Sequence, residues 1–150
     1  MSLRKYRLVK QRSEWACGVA CVASALGIPY DQATERLEAY KCERIDALPY
    51  GLELEPIIQV MQDAGIVLTV ETGARRWPLG TIVFLSETRG RYKDGGHYLL
   101  RSPDGWMDPW VNYPEKPRQS AYRERLPYGT SVQVALVPKQ KCEVQQIVKR

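Results

Sequence analysis

The sequence predicts an α+β fold in which N-terminal helices pack on an antiparallel β-sheet. Apolar residues repeat with helical spacing before Gly65, whereas later ones fall in short runs rich in β-branched and aromatic residues. Helices followed by strands, rather than alternating with them, are typical of this class. The chain has 150 residues with no internal repeat or linker-like stretch, so we expect a single domain over 1–150 with its core at about 8–137.

Three helices are predicted in the first half of the chain. The first covers CGVACVASAL (17–26), which is apolar on every face as in a buried helix, and ends at Gly27. The second is expected at about 31–41, with one face formed by Ala33, Leu37 and Tyr40. The third begins near Glu53 or Glu55 and ends at Gly65, with an apolar stripe formed by Leu54, Ile57, Ile58 and Met61.

Five strands are predicted after Gly65, at 66–70, 81–85, 97–102, 106–110 and 131–137. The sequence Ser-Pro-Asp-Gly at 102–105 has the composition of a tight turn and therefore predicts a hairpin. The segment 113–129 contains three prolines and is interpreted as an irregular surface excursion.

The net charge of +5 is concentrated at the two ends of the chain. Residues 1–12 hold five basic residues and no acid, and residues 139–150 hold four basic residues and one acid. Subtracting these from totals of 22 and 17 leaves 13 basic and 16 acidic residues in the body. We therefore interpret the basic ends as solvated and expect no nucleic-acid partner, since nucleic-acid binding favours a basic folded face.

Localisation is predicted from what the sequence lacks. No apolar run approaches the ~20 residues that span a bilayer, and the basic N-terminus has no apolar segment of the secretory type. We expect a soluble cytoplasmic protein, with export by a dedicated secretion system left open and the oligomeric state not predicted.

The four cysteines, at 17, 21, 42 and 142, form no CxxC pair, and the chain has one histidine. These numbers disfavour a zinc site, and no metal or cofactor is predicted. Pairing of Cys42 with Cys142 is left open. A single chemically active thiol is the better interpretation of this composition.

Cys17 is the candidate nucleophile because it begins the buried helix. The thiol of a cysteine is activated at a helix N-terminus and beside an imidazolium, where the thiolate is favoured. Gly18 follows and removes a side chain that would crowd an approaching carbonyl. Cys21, one turn deeper, is interpreted as a small buried apolar residue.

His97 is the only histidine and therefore the candidate base. It begins a predicted strand within KDGGHYLL, where the flanking Gly96 and Tyr98 are candidates for substrate contact. Asp108 is the candidate that orients the imidazole, with Asp94 and Asp104, both interpreted as loop residues, as the alternatives. If Pro103 and Asp104 form a two-residue turn, Leu99 lies opposite Asp108, and His97 and Asp108 become diagonal neighbours on one sheet face. A one-residue bulge in the turn would separate them.

An oxyanion hole needs preorganised donors, each of which lowers the activation barrier by about 2.7–4 kcal/mol. The backbone N–H of Cys17 is one candidate and the side-chain amide of Gln11 is the other. Trp15 either walls the substrate cleft or anchors the loop, and both interpretations stay open.

The pattern of Gln11, five residues, then Cys17-Gly18, resembles papain-like cysteine peptidases. The longer run CGVACVASALG, followed by GGHYLL and a later Asp-Pro at 108–109, is similar to the bacteriocin-processing, double-glycine leader peptidases. The resemblance covers about 8–137. It implies a papain-like α+β fold, with Cys17 as nucleophile, His97 as general base and acid, Asp108 orienting it and Gln11 in the oxyanion hole.

The chain differs from that family in three respects. Ala16 stands where many relatives have Asp, the interval from His97 to Asp108 is short, and the relatives usually precede a membrane-spanning ATP-driven exporter. With neither a membrane segment nor a phosphate-binding loop in the sequence, we expect a stand-alone cysteine peptidase that cleaves a peptide or protein through an acyl-enzyme. The same thioester chemistry used for deamidation or acyl transfer, and an inactive binding module on this fold, are the alternatives.

Overall fold

The computed structural model describes residues 3–14, 16–41, 53–73, 75–86 and 96–139. Its helices are α1 (Cys17–Leu26), α2 (Tyr30–Lys41) and α3 (Leu54–Asp63). Its strands are β1 (Leu68–Glu71), β2 (Ile82–Ser86), β3 (His97–Ser102), β4 (Gly105–Asp108), β5 (Ala121–Arg123) and β6 (Ser131–Pro138). Trp15, Cys42, Asp94 and Cys142 lie outside the described residues, so the predictions on them stay predictions.

The strands form one six-stranded sheet in the order β1-β6-β2-β3-β4-β5, and neighbouring strands are antiparallel throughout. The predicted α+β class, with N-terminal helices packed on an antiparallel sheet, is confirmed. The prediction of one domain over 1–150 stays a prediction.

Helix α1 is the centre of the core. All its residues except Leu26 are buried, as expected of a helix that is apolar on every face, and it contacts α2, α3 and β3. Gly27 ends it with φ of 65°, a left-handed conformation that glycine adopts without strain. This packing holds the N-terminus of α1, and therefore Cys17, against the beginning of β3.

The two faces of the sheet carry separate apolar clusters. Tyr98 and Leu100 of β3 belong to the cluster that contains α1, whereas Leu99 belongs to a second cluster with Trp106 on β4. This alternation is what a strand buried on both faces produces.

Three details differ from the sequence-based predictions. Strand β5 lies inside the segment expected to be irregular, where its three residues pair with β4. Tyr40 is exposed rather than buried beside Leu37. The basic N-terminus is not simply solvated, because Arg7 donates to the carbonyls of Ala23 and Ile28 at the end of α1.

In the part of the chain that the structure describes, no helix is both long and apolar enough to cross a membrane.

Candidate active site

Cys17 is the first residue of α1, and its side chain is buried, with the residue 4% exposed. The preceding Ala16 makes no side-chain capping bond to the helix, so the first-turn N–H groups receive no acceptor from the N-cap residue. The Sγ atom of Cys17 accepts a hydrogen bond from the backbone N–H of Tyr98 at 3.5 Å. The sulfur therefore lies in the field of the helix N-terminus and of a strand amide, both of which favour negative charge.

His97 is brought against Cys17 by the packing of α1 on β3. Its imidazole makes a side-chain hydrogen bond with Cys17. Its Nε2 atom lies 2.6 Å from Oδ1 of Asp108, which leaves Nδ1 for the sulfur. Burial alone would lower the pKa of His97, but the hydrogen bonds and negative charges of Asp108 and Cys17 raise that pKa to about 10.

Asp108 ends β4 and is fully buried. The hairpin pairs Ser102 with Gly105 and Leu100 with Met107, which is the predicted two-residue turn without a bulge. Extending this register by one pair puts Leu99 opposite Asp108 and makes His97 its diagonal neighbour. The predicted proximity of His97 and Asp108 is therefore present in the structure.

Both oxygens of the Asp108 carboxylate have partners. Besides His97, Oδ1 accepts a bond from the backbone N–H of Trp110 at 3.0 Å, and Oδ2 accepts one from Nε of Arg123 at 2.6 Å. Burial raises the pKa of Asp108, but the hydrogen bonds and charge of His97, followed by the bonds from Arg123 and Trp110, lower it overall. Asp108 is therefore an ionised carboxylate held at both oxygens.

Arg123 was not among the candidates from the sequence. It lies on β5, in the segment expected to be irregular, and reaches Asp108 only because β5 pairs with β4. Strand β5 is half-buried along its whole length and shows no alternation of polar and apolar residues. No local signal identified it.

Gln11 is buried, 2% exposed, and its backbone N–H donates to the carbonyl of Pro109 at 3.2 Å. This bond ties the loop before α1 to the end of β4. The side-chain Nε2 lies 3.0 Å from the carbonyl oxygen of Ser13 and 3.1 Å from that of Glu14. The amide is thus turned toward its own loop, and donation to an oxyanion requires it to release one of these carbonyls. The predicted role of Gln11 stays a prediction.

Gly96 and Tyr98 are in contact with Phe84 on β2. A Cβ atom at position 96 would lie 1.9 Å from the Phe84 ring, so any larger residue there requires the ring to move. The rings of Phe84 and Tyr98 pack with their centroids 4.8 Å apart. Gly96 is therefore a position of close packing, and its expected contact with substrate is not tested.

Tyr98 is one of the residues that line a groove of about 690 Å³. Its floor is mostly apolar, with Leu54 and Ile58 of α3 on one side, while Glu53 and Glu55 add negative charge. Because the backbone of Tyr98 contacts the Cys17 sulfur and its ring lines the groove, this residue connects the two. Among the described residues, including this site, no group of three or more His, Cys, Asp or Glu side chains is arranged to hold a metal ion.

The three helices packed on a six-stranded antiparallel sheet match the papain-like peptidase fold of a solved structure. No protein-family profile matches the chain, and no curated protein matches it by sequence. The fold is similar to a double-glycine motif protease from an AMS/PCAT transporter, whose crystal structure is a complex with the leader peptide. The similarity has a TM-score of 0.55 at 12% identity, covering 93% of this chain and 95% of that one, and it is a similarity of fold.

Proposed function

We propose that this protein is a cysteine peptidase that cleaves a peptide or protein substrate with Cys17 as nucleophile. The observation that carries this proposal is the chain of contacts from the Cys17 side chain to the His97 ring and from Nε2 of His97 to Asp108. A thiol, an imidazole and a carboxylate in this order are the groups that nucleophilic acyl transfer requires.

The first half of the reaction breaks the amide bond. The Cys17 thiolate attacks the carbonyl carbon of the substrate, and the developing oxyanion is stabilised by the N–H of Cys17 at the helix N-terminus. His97, protonated and held by Asp108, gives its proton from Nδ1 to the departing nitrogen as the C–N bond breaks. The products of this half are a free amine and a thioester on Cys17.

The second half releases the acyl group. His97 is now neutral and accepts a proton from water as the water oxygen attacks the thioester carbonyl. The C–S bond breaks, a carboxylic acid leaves, and the thiolate–imidazolium pair is restored. Because Nε2 of His97 stays bonded to Asp108, the ring keeps Nδ1 toward the sulfur through both halves.

The groove beside Tyr98 is the proposed binding site for part of the peptide. Its apolar floor suits apolar side chains, and the carboxylates of Glu53 and Glu55 favour a segment that also carries positive charge. The double-glycine motif protease with a similar fold was crystallised in complex with the leader peptide, which supports a peptide as the class of substrate.

The test is a peptide library incubated with the wild-type chain, Cys17→Ala and His97→Ala, with mass spectrometry of the products. We expect new termini with the wild-type chain and none with either variant. Cysteine-dependent mass gains of about 1 Da without new termini would instead indicate deamidation, and cross-linked products acyl transfer. Identical products from all three chains would overturn an enzymatic role and leave a binding module.

A further inference from the structure

Three charged side chains converge on one face of the sheet through the pairing of three strands. Ala121 pairs with Asp108 across β4 and β5, so Arg123 lies two residues along β5 on one side of Asp108. The hairpin register puts His97 diagonally on the other side, on β3. Residues two apart on a strand share a face, so His97 and Arg123 approach Asp108 from opposite diagonals.

Arg123 makes more than one contact at this position. Its Nε donates to Oδ2 of Asp108 at 2.6 Å, and its terminal nitrogen donates to the carbonyl of Val111 at 3.3 Å. Its side chain is 21% exposed, so the ion pair with the fully buried carboxylate is only weakly screened by water. The second bond to Val111 fixes the direction from which the guanidinium approaches.

We propose that Arg123 is a positioning residue of the site: its guanidinium holds the Asp108 carboxylate in place and keeps it charged when His97 is neutral. This inference rests on the proposed function. When Cys17 is a thiolate and His97 an imidazolium, the four groups form a row of alternating charge that continues through the Asp108 carboxylate to the guanidinium of Arg123.

The alternation of charge is interrupted once during each turnover, when His97 becomes neutral. After His97 has given its proton to the leaving amine, Asp108 faces a neutral ring and would be a buried charge with no cation beside it. Arg123 supplies that cation, so the carboxylate neither takes up a proton nor turns away before His97 acts as a base. At the same time its positive charge limits how strongly Asp108 binds the proton of His97.

The groups whose hydrogen bonds and charges raise the pKa of His97 are Asp108 on β4 and Cys17 on α1. Cys21 lies one turn deeper on α1. Arg123 on β5 contacts Asp108, and in this proposal it acts on the proton of His97 from beyond that carboxylate. Removing the carboxylate and removing the guanidinium therefore have opposite expected effects. Loss of Asp108 lowers the pKa of His97, whereas loss of Arg123 raises it, because a nearby positive charge disfavours an imidazolium.

The test is an NMR titration of the imidazole C–H signals, which need no assignment because the chain has one histidine. Arg123→Met should raise the pKa of His97 by on the order of one unit. Arg123→Gln, which keeps a donor toward Asp108 and removes the charge, should raise it likewise and serves if the Met variant does not fold. Arg123→Lys retains the charge and should stay near the wild-type value.

The matched control is Arg125→Met, a change at an exposed arginine two residues further on. It should leave the titration of His97 unchanged. An unchanged or lowered pKa in both Arg123→Met and Arg123→Gln overturns the proposal. The titration needs no substrate, so a protein that cleaves no peptide yet shows the upward shift would contradict the proposed function and retain the role of Arg123.

Discussion

The Nε2 atom of His97 lies 2.6 Å from Oδ1 of Asp108, although the two residues are 11 positions apart in the chain. Their closeness depends on a two-residue turn, which makes the imidazole and the carboxylate diagonal neighbours on adjacent strands of one sheet face. The carboxylate is fully buried, so it acts on the imidazole with little screening by water.

Asp108→Asn should reduce turnover by about 10²–10⁴-fold, because an amide neither stabilises the imidazolium nor fixes the ring in the required tautomer. The pH profile of kcat should also change. The pKa of His97 is raised to about 10 partly by this carboxylate, so the loss of activity at high pH should move to lower pH in the variant.

The control for that change is Asp104→Asn, at an exposed position in the turn of the same hairpin. It should leave both the rate and the pH profile near those of the wild-type chain. If kcat falls at the same high pH in the wild-type chain and in Asp108→Asn, the interaction between Asp108 and His97 does not raise the pKa of His97, and the prediction is contradicted.

Gly96→Ala should weaken substrate binding, since the new Cβ would overlap the Phe84 ring and push it into the groove beside Tyr98. We expect a higher KM in cleavage assays. Phe84→Leu shortens the opposing side chain, so the double variant should recover part of the loss. A double-mutant cycle with no coupling between positions 84 and 96 would show that this contact does not shape the groove.

Gly105→Ala should destabilise the protein more than Gly65→Ala does. Both glycines have positive φ, 119° and 89°, so both changes introduce backbone strain of about 1 kcal/mol or more. Only at position 105 would the new Cβ also meet a backbone atom, the carbonyl oxygen of Arg123, at 2.5 Å. Urea unfolding of the two variants measures the difference, and equal free energies of unfolding would contradict the expected clash with β5.

The stability of the protein in acid should depend on Asp108. Its pKa in the folded state is lowered from the ordinary value of 3.8, so the unfolded chain binds the proton more readily. The stabilising contribution is therefore complete above the unfolded pKa and is lost as the pH falls through the folded one. Between about pH 5 and 3, the free energy of unfolding should fall more steeply for the wild-type chain than for Asp108→Asn.

The parts of the site that the sequence predicted depend on local patterns. The all-apolar run begins at Cys17 and ends at Gly27, and α1 has those limits. The turn composition at Pro103 and Asp104 predicted the register that brings His97 to Asp108.

What the sequence did not predict depends on contacts between distant segments. Arg123 reaches Asp108 through the pairing of β5 with β4, and the short β5 carries no periodic pattern. Gly96, a candidate for substrate contact, lies against the ring of Phe84, a residue on another strand that the local sequence does not indicate. Arg7 binds carbonyls at the end of α1, 16 and 21 residues away, which no local composition indicates.

The most direct measurement is the rate at which iodoacetamide modifies each thiol near neutral pH, resolved by mass spectrometry. Cys21 is the internal reference, because it is fully buried and burial, the largest cause, raises the pKa of its thiol well above the ordinary value. We predict that Cys17 reacts at least about tenfold faster than Cys21, and that His97→Gln removes most of this difference. Equal rates at Cys17 and Cys21, or a Cys17 rate unchanged by His97→Gln, would contradict a nucleophile activated by His97.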